Sequence, residues 1–146
     1  MPYYHIQTGK LSLILLSPIV VVLIPAWLVP TMSVLLLISV IIVGTLILCA
    51  LCFHYLLVCD EGDYLALRFG PIPFFSKRLP YAQMTAVEPA RSTFLDGWGI
   101  HYTPGRGWIY NLWGFDCVKV QMGKKTVRIG TDDVPGLVAF LKRRIG

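Results

Sequence analysis

The sequence predicts a membrane α+β protein, in which a two-helix transmembrane hairpin precedes a small β-rich domain that ends in one helix. Charge is confined to one part of the 146-residue chain, because Lys10 is the single charged side chain before Asp60. Beyond Asp60, apolar residues first alternate with polar ones and then recur at helical spacing. We therefore assign residues 1–59 to the hairpin and residues 60–146 to a cytoplasmic domain.

Two apolar segments form the predicted hairpin. Leu11–Leu28 is uncharged and is near the lower length limit for crossing a hydrocarbon core of about 30 Å. Pro18 and Pro25 are expected to kink this helix, because each removes a backbone hydrogen bond. Ser33–Val58 would extend roughly 39 Å as a helix, so it is expected to tilt or to project beyond the bilayer. The connector Val29–Ser33 carries no charge.

Charge also predicts the orientation of the hairpin. Lys10 flanks the first segment, and twelve basic residues follow the second, which places both termini on the cytoplasmic face of a multi-pass protein. A cleavable signal peptide is the alternative for the first segment. Ala26-Trp27-Leu28 is a poor cleavage site, and a second apolar segment follows at once.

The motif "CALCFHYLLVC" raises the question of a metal or haem site. Covalent haem attachment requires a histidine directly after the second cysteine, and here Phe53 separates Cys52 from His54. On one predicted helix, the three cysteines and His54 fall on different faces and cannot converge on zinc. We expect no metal and no cofactor, and we interpret His54 as an interfacial residue beside Tyr55.

The segment after Asp60 predicts about seven short strands and a final helix. Alternation is clearest in "DEGDYLALRFG", "CVKVQM" and "TVRIGT", each bounded by turn residues. Thr131, Asp132 and Asp133 offer N-caps for a helix. The apolar residues that follow share one helical face: Val134, Leu137, Val138, Leu141 and Ile145.

Three motifs carry a resemblance to a known family: "DGWGI", "YN" with Gly114 following, and "VRIGTDDVPGLVAFL". With the hairpin before them, they resemble bacterial inner-membrane proteins that have two transmembrane helices and a C-terminal pleckstrin-homology-like domain. The resemblance covers Asp60 to Ile145. It implies a small, bent, partly open β-barrel with the C-terminal helix closing one end. It implies a fold more than a role, because the molecular function of that family is poorly defined.

Residues 96–116 contain three of the four tryptophans. Trp98 alternates with glycines in "GWGIHY" and is expected in the core together with Ile100. Exposed aromatic residues suit a membrane interface or a protein partner. The candidates for such an interface are Trp108, Trp113, Phe74 and Phe75.

The leading functional hypothesis is a non-enzymatic, membrane-anchored interaction module, which serves as an accessory or assembly subunit of a larger membrane complex. Its partners would be membrane lipids and either other membrane subunits or a second copy of the chain. The sequence offers no catalytic residue constellation and no nucleic-acid-binding module. The alternative is a domain that binds anionic lipid at the membrane surface through Arg68, Lys77 and Arg78.

Overall fold

The computed structural model describes residues 2–28, 33–93, 96 and 98–146. These residues form an α+β chain, as predicted, in which apolar helices near the N-terminus interrupt a β-rich unit. The elements in chain order are β1 Tyr4–Thr8, α1 Leu11–Leu16, α2 Pro18–Leu28, α3 Ser33–Cys52, β2 Tyr55–Asp60, β3 Tyr64–Phe69, β4 Ser76–Pro80, a 3₁₀ turn Tyr81–Gln83, β5 Met84–Arg91, β6 Gly99–Thr103, β7 Gly107–Asn111, β8 Asp116–Met122, β9 Lys125–Gly130 and α4 Val134–Ile145.

The apolar helices differ in length. Within the described ranges, Val34–Cys52 of α3 is the one helix long and apolar enough to cross a membrane, with a mean hydropathy of 3.1. The first apolar segment is interrupted at Ser17, directly before Pro18, where proline cannot donate a backbone hydrogen bond. Both α1 and α2 pack against α3. Of the predicted connector, residues 29–32 lie outside the described part of the chain.

The second apolar helix ends at Cys52, so its predicted end at Val58 is wrong. Tyr55–Asp60 is strand β2, and the predicted division between residues 59 and 60 falls inside it. Leu56 and Val58 are almost fully buried on one side, and Cys59 is buried on the other. A strand that is apolar on both faces has no alternation to distinguish it from a helix.

Strand β1 is an element that the sequence did not predict. It pairs antiparallel with β2 along its full length, from Tyr4 opposite Cys59 to Thr8 opposite Tyr55. The residues before the first apolar helix therefore belong to the same sheet as those after the last one. The β-rich unit is built from both sides of the helical insertion.

The described strands form two sheets and not one closed barrel. One sheet has the order β1-β2-β3-β4, and the other has the order β5-β8-β9-β7-β6. Neighbouring strands are antiparallel, except that β7 and β9 run parallel. The seven strands after Asp60, β3 to β9, agree with the number predicted.

Helix α4 covers part of the second sheet by packing on β5 and β8. Its buried residues Leu137, Phe140 and Leu141 join one apolar core with side chains from both sheets, and each such burial contributes roughly 2 kcal/mol. The predicted N-cap is confirmed, because the Asp133 carboxylate accepts a hydrogen bond of 3.1 Å from the backbone N–H of Gly136.

Candidate functional site

The β-rich unit has two distinct ends relative to the apolar helices. Thr8 pairs with Tyr55, and these two residues stand three positions from the start of α1 and the end of α3. We call this the proximal end, and the opposite end of the strands the distal end. The tryptophans of residues 96–116 divide between the two ends.

Trp98 and Trp113 form a stacked pair at the proximal end. Their ring centroids are 4.5 Å apart, and the ring planes are inclined by 23°. Gly9, between β1 and α1, lies so close that a Cβ there would come within 2.5 Å of the Trp113 Cβ. Trp113 is thus half-buried between the helix junction and Trp98, and so presents less surface than an exposed interface residue.

The loop from Gly70 to Phe75 also lies beside the end of α3. A Cβ on Gly70 would come within 2.1 Å of the Leu51 carbonyl oxygen, and the φ angle of Gly70 is +60°. The ring of Phe75 stacks on Phe53 at 5.4 Å. Phe74 remains 70% exposed and Phe75 43% exposed, so two apolar side chains project at the level where α3 ends.

The three predicted headgroup residues have different environments. The Arg68 guanidinium pairs with Glu61, and Arg78 lies over the Tyr64 ring with its Nε 3.8 Å from a Glu61 oxygen. Lys77 is exposed and makes no ion pair with any described residue. Arg68 and Arg78 therefore already share one carboxylate, whereas the charge of Lys77 is available to solvent.

Tyr102 and Trp108 define an aromatic surface at the distal end of the β6–β7 hairpin. The two residues are cross-strand partners, and their ring centroids are 5.8 Å apart in an edge-to-face arrangement. Trp108 also stacks on Tyr110 at 6.4 Å. Tyr110 is buried in the core, whereas Tyr102 is 59% and Trp108 44% exposed.

These rings line a cleft of about 320 Å³ together with Lys124, Lys125 and Thr126 from the β8–β9 turn. We call it the distal cleft. Gly107 brings β7 close to β9, because a Cβ on Gly107 would meet the Thr126 carbonyl oxygen at 2.1 Å. The parallel pairing of Trp108 with Val127 then sets the two lysines beside the aromatic rings.

A second cavity of about 470 Å³ is lined by Pro2, Asp60, Phe140, Arg143 and Arg144. Asp60 accepts hydrogen bonds from the Tyr81 hydroxyl at 2.9 Å and from Arg144 at 2.9 Å. Burial alone would raise the pKa of Asp60, but these hydrogen bonds outweigh it and hold the pKa below 3.8. A carboxylate already bound by a hydroxyl and a guanidinium links elements of the fold, and its lowered pKa makes it a weak general base at neutral pH.

Asp96 and Asp116, at the two ends of the tryptophan-containing segment 96–116, are also engaged in ion pairs. Asp96 is buried and pairs with Arg106, and it accepts a hydrogen bond of 2.6 Å from the Thr93 backbone N–H. These contacts offset the effect of burial and lower the pKa of Asp96. Asp116 lies 3.5 Å from the Nε of Arg91. Each carboxylate is held by an arginine, and the Asp96 carboxylate also accepts a hydrogen bond of 3.1 Å from the Thr93 hydroxyl.

The cysteine–histidine motif does not converge on one point. Cys49 and Cys52 lie in α3, whereas Cys59 lies in β2. Within the described ranges, no three histidine, cysteine, aspartate or glutamate side chains come close enough to hold a metal ion. His54 is exposed beside Tyr55, with a ring separation of 6.3 Å.

No family model, curated protein or solved structure matches the chain with significant similarity. The candidate surfaces therefore depend on the geometry of this chain alone. Sequence reasoning identified Trp108 but missed Tyr102, Lys124 and Lys125. The adjacent lysines in "GKK" were the visible signal, but their place beside Trp108 depends on the β7–β9 pairing.

Proposed function

We propose that this chain is a non-enzymatic, membrane-anchored interaction module that serves as an accessory or assembly subunit of a larger membrane protein complex. The observation that carries the proposal is the direct continuation of the apolar helices into paired strands. Two residues separate β1 from α1, and two separate α3 from β2. With Thr8 and Tyr55 paired across this junction, the β-rich unit is held to the helices without a flexible linker.

These short connections suit a protein whose β-rich unit presents a binding surface at a fixed position relative to the membrane. In this proposal, the first apolar segment and α3 cross the bilayer as a hairpin, and both chain termini lie in the cytoplasm of a bacterial cell. The apolar side chains exposed along α3 would face lipid or a neighbouring transmembrane helix. The two sheets and α4 would correspond to the pleckstrin-homology-like domain that the sequence motifs imply.

The exposed aromatic side chains support a binding role. Trp108 and Tyr102 at the distal end, and Phe74 at the proximal end, are each at least 44% exposed. Large aromatic residues dominate the energetics of many protein interfaces, and soluble surfaces rarely leave several of them uncovered without a function. The engaged carboxylates Asp60 and Asp96 favour a binding function over an enzymatic one.

The mass of the native particle tests this proposal. The full chain is extracted from its own membrane in a mild detergent, and the mass and composition of the particle are measured. We expect a reproducible assembly that contains stoichiometric neighbouring subunits and is larger than one chain plus its detergent. A lone chain or a simple homo-oligomer would overturn the accessory-subunit proposal.

Anionic-lipid binding is the second candidate, and the environment of Lys77 favours it. Lys77 is exposed, makes no ion pair within the described part of the chain, and follows the exposed Phe74 and Phe75 beside the end of α3. A lysine near an anionic membrane surface is attracted by about 1 kcal/mol. The test is the amount of anionic phospholipid that copurifies with the full chain. Lys77→Gln should reduce it, whereas Lys142→Gln on α4 should leave it unchanged.

A further inference from the structure

In the distal cleft, strands β6 and β7 expose to solvent the same face that packs against the core farther along each strand. Side chains two residues apart on a strand point to the same face, so Trp108 shares its face with the buried Tyr110. Ile100, on the same face as Tyr102, packs against the core. Helix α4 packs on β5 and β8, whereas Tyr102 and Trp108, on the strands at the other edge of the sheet, are 59% and 44% exposed. The core-facing surface of β6 and β7 therefore continues into solvent.

The lysines of this cleft carry charge that the chain itself does not neutralise. Lys124 and Lys125 are both exposed and form no ion pair with a described residue. By contrast, Lys119 on the same β8–β9 hairpin pairs with Glu88 at 2.6 Å. An occupant of the cleft that carries carboxylates would be complementary to it in charge.

The position of the cleft favours a protein over a lipid. Strand β6 begins at Gly99, which lies near Phe53 at the proximal end. Thr103, at the distal end of the same strand, is four residues farther along, a distance of about 13 Å. This distance exceeds the Debye length of about 8 Å at physiological ionic strength. With β6 directed away from the membrane, headgroups at the ends of the helices would be screened from Lys124 and Lys125.

We propose that the distal cleft binds an acidic segment of a partner protein, with an apolar side chain of that segment packed on Trp108 and its carboxylates beside Lys124 and Lys125. This inference rests on the proposed function, since it names the surface and the chemistry by which the module holds its partner. Tryptophan and tyrosine act as anchors at the centre of such contacts. The two lysines determine which segments are accepted.

Site-specific photo-crosslinking in native membranes tests this inference. The photo-crosslinking amino acid p-benzoylphenylalanine replaces Tyr102 in the full chain, and the crosslinked peptide is sequenced by mass spectrometry. We expect a segment of another protein that contains several aspartates or glutamates. Charge reversal by Lys124→Glu with Lys125→Glu should reduce the yield of this product by about tenfold.

Two matched controls keep the result specific. Lys142→Glu with Arg143→Glu makes the same change in net charge on α4 and should leave the yield unchanged. The same crosslinker at the exposed residue Gln83 should not give the acidic product. Thermal unfolding of each variant in detergent identifies any that fail to fold, and Lys124→Gln with Lys125→Gln then replaces the charge reversal.

The other outcomes are equally informative. A crosslink to lipid, to a second copy of this chain or to a segment without acidic residues would overturn the inference. So would an acidic product that is insensitive to the lysine substitutions. If the native particle contains stoichiometric partners and position 102 crosslinks to none of them, the inference fails while the proposed function stands. If the particle contains no partner, both fail.

Discussion

The carboxylate of Asp60, at the end of β2, lies 2.9 Å from the Nη2 atom of Arg144 in the last turn of α4. The two residues are 84 positions apart in the chain. Tyr81 completes the contact by donating its hydroxyl proton to Asp60 at 2.9 Å, and the Arg144 guanidinium also lies over the Tyr81 ring at 5.2 Å. One carboxylate thus joins the first sheet, the 3₁₀ turn and the C-terminal helix.

Replacing this carboxylate should destabilise the protein in a pH-dependent way. The pKa of Asp60 in the folded protein is below 3.8, so the stability that it contributes is present above about pH 4 and is lost as the pH falls through the lower folded value. Asp60→Asn should cost about 1–2 kcal/mol at pH 7, and the cost should become smaller as the pH falls below about 4. Thermal unfolding of the full chain in detergent measures both. Asp63→Asn, at an exposed position, is the control, and an equal loss at pH 7 and below about pH 4 would contradict the prediction.

Gly62 and Gly70 both have positive φ angles but differ in how closely their surroundings pack. A Cβ on Gly62 would meet nothing within 4 Å, whereas one on Gly70 would meet the Leu51 carbonyl oxygen at 2.1 Å. Gly62→Ala should therefore cost only the backbone strain of about 1 kcal/mol. Gly70→Ala should cost clearly more, because the loop must move away from the end of α3. The midpoints of thermal unfolding measure the difference, and equal midpoints would show that Gly70 does not pack against α3.

The elements that the sequence predicted correctly have a local signal. Strands β3, β8 and β9 come from the segments in which apolar and polar residues alternate most clearly, and α4 has an N-cap at Asp133 followed by a regular apolar face. Strand β2 lacks this signal, because Leu56, Val58 and Cys59 are apolar on both faces of the strand. Strand β1 is defined by a partner about fifty residues away, and a local pattern does not reveal such a pairing.

The sequence indicated which types of residue would form the candidate site, but not which of them would be exposed or where they would meet. Alternation places Trp108 and Tyr110 on one face of β7, yet one is exposed and the other buried. The difference arises because Tyr110 packs in the core formed by both sheets and Trp108 does not, which is a tertiary property. In the same way, nothing near Arg68 in the sequence indicated that it would pair with Glu61, seven residues earlier. The headgroup hypothesis included Arg68 because local sequence shows charge but not its neutralisation.

The two adjacent aspartates before α4 should differ in their importance. Asp133 caps the helix through Gly136 and accepts a hydrogen bond of 3.1 Å from the Tyr3 hydroxyl, whereas Asp132 is exposed and contacts His5. Asp133→Ala should cost about 1–2 kcal/mol, and Asp132→Ala should cost less than half of that. Thermal unfolding in detergent at pH 7 gives the comparison. A larger loss of stability for Asp132→Ala than for Asp133→Ala would show that Asp133 is not the residue that caps α4.

The tryptophans should respond differently to quenchers placed in the membrane and in water. Variants that retain one tryptophan each, with the other three replaced by phenylalanine, are reconstituted into bilayers. Trp108 is 44% exposed at the distal end, so aqueous acrylamide should quench it strongly, and lipids brominated near the headgroup should not. Trp113 lies against Gly9 at the helix junction, so brominated lipids should quench it more than they quench Trp108.

This comparison also tests the arrangement on which the proposed function rests. Quenching within a bilayer falls steeply with distance, and the strands separate the two tryptophans by several residue steps of about 3.3 Å each. A Trp98-only variant is the internal control, because Trp98 stacks on Trp113 and should follow it. If brominated lipids quenched Trp108 as strongly as Trp113, the distal cleft would lie at the membrane surface. Lys124 and Lys125 would then face lipid headgroups, and anionic-lipid binding would replace partner binding as the function of the cleft.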